Sequence, residues 1–110
     1  MKISLITVTY NSEKYLSQCI ESVQMQTHKD IEHIIIDGKS TDGTSSIIKK
    51  YLSGIAHWIS ETDRGMYDAI NKGMKLATGD VVGILNSDDM LVSEDVIADI
   101  VKAFENNHVD

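Results

Sequence analysis

Asp88 and Asp89 are adjacent carboxylates that follow the apolar run Val81-Val82-Gly83-Ile84-Leu85 after Asn86-Ser87. Side by side they repel each other unless a cation or a partner neutralises them. Hard oxygen ligands suit Mg2+ or Mn2+, ions that usually share their shell with substrate phosphates. A turn with capping acids ahead of Ser93 is the reading that needs no ion. Asp37 presents a similar choice, because it closes an apolar strand and opens a glycine-containing loop. Its carboxylate can accept hydrogen bonds from a nucleobase or ribose, or it can hold an Asx-type turn leading to Thr44. Arg64 is the only arginine in the chain and stands between Asp63 and Gly65. A planar guanidinium there can bind a diphosphate bidentately, or it can be a solvated surface group. Tyr10 can stack on a base or serve ordinary packing.

These residues are informative because of the elements that must carry them. Runs at Ile3–Thr9, Ile31–Asp37, Ala56–Ser60 and Asp80–Leu85 read as strands. They are continuously apolar rather than alternating, which suits a sheet covered on both faces. Between and after them lie helical patterns. Leu16, Ile20 and Val23 recur after Asn11 or Ser12 as cap; Ile47, Ile48, Tyr51 and Leu52 recur after Thr44. A third pattern carries Met66, Tyr67, Ile70 and Met74 and ends near Gly79. The last starts at Ser93, with Glu94 and Asp95 placed well against the helix dipole, and carries Val96, Ile97, Ile100, Val101 and Phe104. Alternating strands and helices imply an α/β fold with a mainly parallel sheet, a Rossmann-like three-layer sandwich.

Ligands of such a sheet bind at the carboxyl ends of its strands. Here those ends are Thr9-Tyr10-Asn11, Asp37 through Thr44, Glu61 through Gly65, and Asn86-Ser87-Asp88-Asp89. All four are polar and three carry carboxylates, more acid than turns require.

Composition excludes several classes. The chain has 110 residues, about one domain's worth, and a net charge of −7. That balance disfavours a nucleic-acid-binding module, whose footprint is a basic patch, and a polybasic membrane-surface domain. With 42% hydrophobic residues it is no disordered acidic tail. Cys19 is the single cysteine, lies on the apolar side of its helix and reads as inert. A reducing, cytoplasmic compartment is the expectation. No secretory signal is visible, and no apolar run approaches the ~18 residues of a membrane span. His28, His33, His57 and His108 show no paired metal-ligand spacing and read as surface or rim residues. Met66, Met74 and Met90 read as core filling. Glycines are missing from the first strand-to-helix turn, so the dinucleotide-binding fingerprint is absent. No phosphate loop or nucleophile elbow is present either. His108-Val109-Asp110 has the look of an approach to a further strand, so the pattern reads as part of a larger protein.

The segments resemble the N-terminal half of a family 2 glycosyltransferase with the GT-A fold. Five stretches carry the resemblance in order. They are Ser4 to Asn11, Gln26-Thr27 before Ile31-Glu32, Ile36 to Thr44, Asp63-Arg64-Gly65 through Asp80, and Asn86-Ser87-Asp88-Asp89. Gly38 stands where the family usually has a second acid, Asn86 where the metal motif has its first, and Ile70 where many members have arginine. Tyr67-Asp68-Ala69 resembles a subgroup associated with bacterial surface polysaccharide synthesis.

The resemblance implies that residues 1–110 form the nucleotide-diphospho-sugar-binding half. It implies an inverting transfer from a UDP- or GDP-sugar to a saccharide or lipid-linked acceptor, assisted by Mn2+ or Mg2+. Thr9, Tyr10, Asn11, Asp37, Arg64 and Asp88 would contact the donor, and Asp88 with Asp89 the metal. The base would come from the acceptor-binding half, so no catalytic residue is assigned here and the chain alone is expected to be inactive. It is also expected to self-associate, and the full-length protein to be cytoplasmic or peripheral to the inner face of the membrane. The competing readings are a non-catalytic nucleotide-binding module and a receiver-like signalling domain. The second needs an acidic cluster at the first strand end, where Thr9-Tyr10-Asn11 stands.

Overall fold

Ile34, Ile35 and Ile36 are all fully buried, which a strand achieves only when both faces of its sheet are covered. The computed structural model describes residues 1–106 and places that strand second from one edge of a four-stranded sheet. The elements are β1 (Ile3–Thr9), α1 (Leu16–Gln24), β2 (Ile31–Asp37), α2 (Thr44–Lys50), a 3-10 turn (Leu52–Gly54), β3 (His57–Ser60), α3 (Met66–Leu76), β4 (Val81–Ile84) and α4 (Val96–Asn106). The order is β3-β2-β1-β4 and every pairing is parallel. The α/β, Rossmann-like architecture implied by the sequence is the observed one. The approach to a further strand at His108-Val109-Asp110 lies outside the described residues.

Side-chain alternation along β1 and β2 sorts the core into two layers. Ile3 and Leu5 face α1 and α4 with Val23, Ile97 and Val101, while Ile35 meets Leu16, Cys19, Ile20 and Ile48 of α1 and α2. The opposite face packs Ile6, Ile34 and Ile36 against Ala69 of α3. The helix lies close there because position 73 is glycine: a Cβ on Gly73 would sit 2.6 Å from Ile6 Cγ2.

After β3 the chain crosses back over β2 and β1 to lay β4 on the far side. The direction of winding therefore reverses between β1 and β4, and α3 falls on the other face from α1 and α2. Such a reversal opens a crevice at the carboxyl ends of the two strands.

Local expectations are corrected in several places. Neither Asn11 nor Ser12 caps α1. The helix starts at Leu16 after Tyr15, and the Ser12 carbonyl accepts the Tyr15 and Leu16 N–H groups. Thr44 is the first residue of α2 rather than its cap; Asp42 Oδ1 accepts both its N–H (2.9 Å) and its hydroxyl (2.5 Å). The third strand begins at His57, one residue later than expected, and α3 ends at Leu76 rather than near Gly79. α4 begins at Val96 rather than Ser93, and the Ile97 N–H is taken by the buried Gln26 Oε1 at 3.0 Å. Gln26 Nε2 donates to the Ser22 and Ser93 carbonyls, so this one amide fastens the end of α1 to the start of α4.

Met66, Met74 and Met90 are exposed instead of filling the core; on α3 the buried stripe is formed by Ala69 and Gly73, and Met90 lies in the connection after β4. β4 is shorter than expected and is an edge strand: Ile84 is 53% exposed. His33, expected at the surface, is 1% exposed and bonded through Nε2 to Thr7 Oγ1 (2.8 Å). Cys19 is buried as expected, and burial pushes its thiol up to about 11. Among the described residues no helix is long and apolar enough to cross a membrane.

A polar cluster holds the amino-terminal end of the sheet, opposite the crevice. Glu32 accepts from Ser4 Oγ (2.8 Å), Thr78 N–H (2.9 Å) and Thr78 Oγ1 (2.9 Å), and lies 3.4 Å from Lys2 Nζ. Burial works against its charge, but these donors outweigh burial and hold its carboxyl down to about 2.

Candidate functional site

The crevice between β1 and β4 is a cleft of about 760 Å³. Thr9, Tyr10 and Asn11 enter it from the end of β1, Asn86, Ser87 and Asp88 from the end of β4, and Asp63, Gly65 and Met66 from the start of α3. Residues distant in sequence meet there because parallel strands deliver all their carboxyl ends to one side of the sheet.

Hydrogen bonds stiffen the loops that form it. Asn11 has left-handed backbone (φ 48°); its N–H donates to Ser40 Oγ (2.8 Å) and its Oδ1 accepts the Thr41 N–H (2.9 Å). Asn11 therefore ties the β1 loop to the β2 loop. Asp37 is fully buried and braces the same loop. It accepts Ser40 N–H (3.0 Å), Ser40 Oγ (2.5 Å) and Ser60 Oγ (2.8 Å), the geometry of a turn. Ser12 Oγ and Ser87 Oγ, 2.9 Å apart, bridge the β1 and β4 loops across the crevice. Beneath them Cys19 Sγ donates to the Asn86 carbonyl at 3.6 Å, which pins the residue ahead of the acidic pair.

Three groups remain unspent. Thr9 lines the cleft, and its buried Oγ1 has no hydrogen-bond partner among the described residues. A buried hydroxyl without a partner is costly, on the order of 1–3 kcal/mol, unless something else satisfies it. The Tyr10 ring is 61% exposed over the same space. Asp88 and Asp89 are exposed, and neither makes an ion pair among the described residues. Asp89 meets the protein through its backbone N–H, which donates to the Asn86 carbonyl (3.0 Å).

No group of three or more His, Cys, Asp or Glu side chains able to enclose a metal exists among the described residues. Two uncompensated carboxylates at the lip of an open cleft do fit part of a hard cation's oxygen shell, with water and phosphate oxygens for the rest.

The structure thus gathers Thr9, Tyr10, Asn11 and Asp88 along one cleft, with Asp89 next in line and Asp37 beneath the adjoining loop. Arg64 is exposed beside Gly65 and does not line the cleft; its backbone N–H donates to Asp68 Oδ2 (2.9 Å). Sequence reasoning missed Lys14 and Asp63, both of which do line it. Lys14 Nζ sits 5.5 Å from the centroid of the Tyr15 ring, and a cation just after the β1 loop was the available signal. Asp63 belonged to an acidic strand end, but nothing local distinguished it from Glu61.

Residues 4–110 match the sequence model of glycosyl transferase family 2. An uncharacterized glycosyltransferase of Mycobacterium tuberculosis is 39% identical over 102 residues, covering 92% of this chain and 39% of its own length. A PGL/p-HBAD biosynthesis glycosyltransferase of Mycobacterium bovis is 36% identical over 108 residues, covering 96% and 42%. Among solved structures, Staphylococcus aureus TarS 1–349 in complex with UDP-GlcNAc superposes with a TM-score of 0.90 at 29% identity, covering 98% of this chain and 32% of that one. The mannosyltransferase PcManGT of Pyrobaculum calidifontis, in complex with GDP-Man and Mn2+, gives 0.87 at 26% identity, covering 98% and 33%. The chain therefore spans about a third to two fifths of the length of these proteins.

Proposed function

Because the chain belongs to glycosyl transferase family 2, with the GT-A fold of its structural neighbours, we propose that it is the donor-binding region of a glycosyltransferase. Residues 1–110 bind a nucleotide-diphosphate sugar in the crevice between β1 and β4. The observation that carries this reading is one cleft that combines Thr9, whose hydroxyl is unsatisfied, the open Tyr10 face and an uncompensated Asp88 with Asp89 next to it. The first two suit the nucleoside of such a donor and the third its metal-bound diphosphate. Support also comes from the neighbours, one solved with UDP-GlcNAc and one with GDP-Man and Mn2+.

In this reading the nucleoside stacks on Tyr10, meets the Thr9 hydroxyl and rests against the loop that Asp37 and Asn11 hold in shape. The diphosphate runs toward β4, where Asp88 and Asp89 hold Mn2+ or Mg2+. Bound there, the ion supplies Lewis-acid stabilisation of charge on the departing nucleotide diphosphate. Lys14 in the cleft and Arg64 at its rim are the cations positioned to add electrostatic stabilisation as the sugar bond breaks. Transfer inverts the sugar centre onto an acceptor hydroxyl of a saccharide or lipid-linked acceptor. A base outside residues 1–110 takes that hydroxyl's proton, so this chain alone binds donor without transferring sugar. The biosynthetic setting is bacterial surface polysaccharide synthesis, and the similarity to a PGL/p-HBAD biosynthesis glycosyltransferase of M. bovis supports a biosynthetic role. In isolation the chain self-associates through the open β4 edge, where Ile84 is exposed.

Calorimetric titration of the chain with UDP and GDP, with and without Mn2+, tests the reading. At least one nucleotide diphosphate binds and binds more tightly with the metal. Failure of both to bind in the presence of Mn2+ overturns it, and leaves a structural or interaction role.

A further inference from the structure

A side recess of about 390 Å³ adjoins the main cleft and shares Tyr10 and Asp63 with it. Gly38, Lys39 and Thr62 complete its lining. Asp63 reaches this place from the β3–α3 connection. Its Oδ1 accepts the Gly65 N–H at 3.1 Å, which orients the carboxylate. Its Oδ2 lies 3.2 Å from where a Cβ on residue 38 would stand. A side chain at position 38 would crowd Asp63 and push it back by a few tenths of an ångström, so glycine there lets the β2 loop approach a carboxylate supplied by another strand end. The Tyr10 ring borders the same point, its Cδ1 3.4 Å from that Cβ position.

We propose that Asp63 selects the nucleobase and that the base is guanine, making the donor a guanosine-diphosphate sugar. The proposal rests on the nucleotide-sugar reading above. Asp37 cannot take this role directly, since it is fully buried and its carboxylate already serves Ser40 and Ser60. Asp63 is the carboxylate that lines the recess. A carboxylate only accepts hydrogen bonds, and it does so best from two adjacent donors. Guanine presents such a pair, N1–H and the exocyclic N2 amino group, with the O6 acceptor beside them. Lys39, a pure donor in the lining of the same recess, complements O6. Uracil presents a single N3–H between two carbonyl oxygens, so a carboxylate facing it gains one bond and meets two repulsive neighbours. Adenine and cytosine each offer a single amino group beside an acceptor. The Tyr10 face can stack on any base, so stacking adds affinity without choosing.

Asp63→Asn tests this directly, because it keeps the oxygen that accepts from Gly65 and turns one acceptor into a donor. Xanthine carries a carbonyl where guanine carries its amino group, so xanthosine diphosphate is the matching probe. With Mn2+ present, the unaltered chain binds GDP more tightly than UDP. Asp63→Asn weakens GDP about 10- to 100-fold, the effect of losing hydrogen bonds to a charged group, and strengthens xanthosine diphosphate. UDP, whose N3–H lies between two carbonyls as the N1–H of xanthine does, is strengthened as well. Equal or tighter binding of UDP by the unaltered chain, or GDP loss without xanthosine diphosphate gain, overturns the assignment while nucleotide binding stands. Failure of every nucleotide to bind overturns the underlying reading and this proposal with it.

Discussion

Exchanging Asp88 and Asp89 together for asparagine should remove the metal-dependent part of nucleotide binding while leaving the fold intact. Both side chains are exposed and unpaired among the described residues, so folding does not depend on their charge. Surface changes of this kind move stability by about 0.5 kcal/mol or less, and here relief of repulsion favours the variant. Binding is different. Each carboxylate contact to a cation–diphosphate pair is worth roughly 1.5–3 kcal/mol as a charge-assisted interaction, so losing two costs at least about 100-fold in affinity with Mn2+. Titrations of both proteins with GDP, with and without Mn2+, should differ only in the metal arm. A variant whose metal response is unchanged shows that the pair is a turn.

Acid should destabilise the chain in two successive steps, the first from His33. This imidazole is buried, its Nε2 is bonded to Thr7, and its Nδ1 has no partner among the described residues. Burial alone opposes the charged form and pushes the folded-state value from 6.5 down to about 4. The unfolded chain therefore takes up a proton near pH 6.5 that the folded chain refuses until about pH 4. Stability falls across that window, by on the order of 3 kcal/mol. Glu32 then takes over. Its folded value of about 2 lies below the unfolded 4.5, so its contribution, full above pH 4.5, is lost as pH drops toward 2. Denaturant unfolding at pH 7 and pH 4.5 should show the His33 drop, and His33→Gln should flatten it whatever its stability at pH 7. A wild-type midpoint that does not move between those two pH values contradicts the account.

The most legible features were those set by local pattern. β1 and β2 fall on the expected residues, Ile3–Thr9 and Ile31–Asp37, because a continuous β-branched run bounded by polar residues leaves little freedom in placing a buried strand. Expectations failed where long-range partners decide. Asn11 looked like a helix cap, but its side chain accepts from Thr41, thirty positions away. The start of α4 depends on Gln26, from the far end of α1. Residue type alone puts His33 at the surface, but on β2 it shares a strand face with Ile35 and is buried with it. The methionines of α3 were assigned to the core, but Gly73 and Ala69 bring the helix backbone so close to Ile6 that larger side chains must point away.

The site followed the same division. Its general location came from the strand-end rule, and Thr9, Tyr10, Asn11 and Asp88 do share a cleft. Which polar atoms are free to meet a ligand was not legible, because that depends on what neighbouring loops consume. The Asp37 carboxylate and the Asn11 Oδ1 are spent on the scaffold, whereas Thr9, Lys14 and Asp63 line the cleft.

The central claim is that the donor and its metal occupy the crevice between β1 and β4. Paramagnetic broadening of backbone amide signals by Mn2+, recorded on the chain saturated with GDP, tests it most directly. The ion should broaden residues 86–89 most strongly, then 10–12 and 63–66, and spare the Glu32–Thr78 cluster at the opposite end of the sheet. Broadening centred on that cluster, or spread evenly over exposed acids such as Glu21, Asp99 and Glu105, would contradict it.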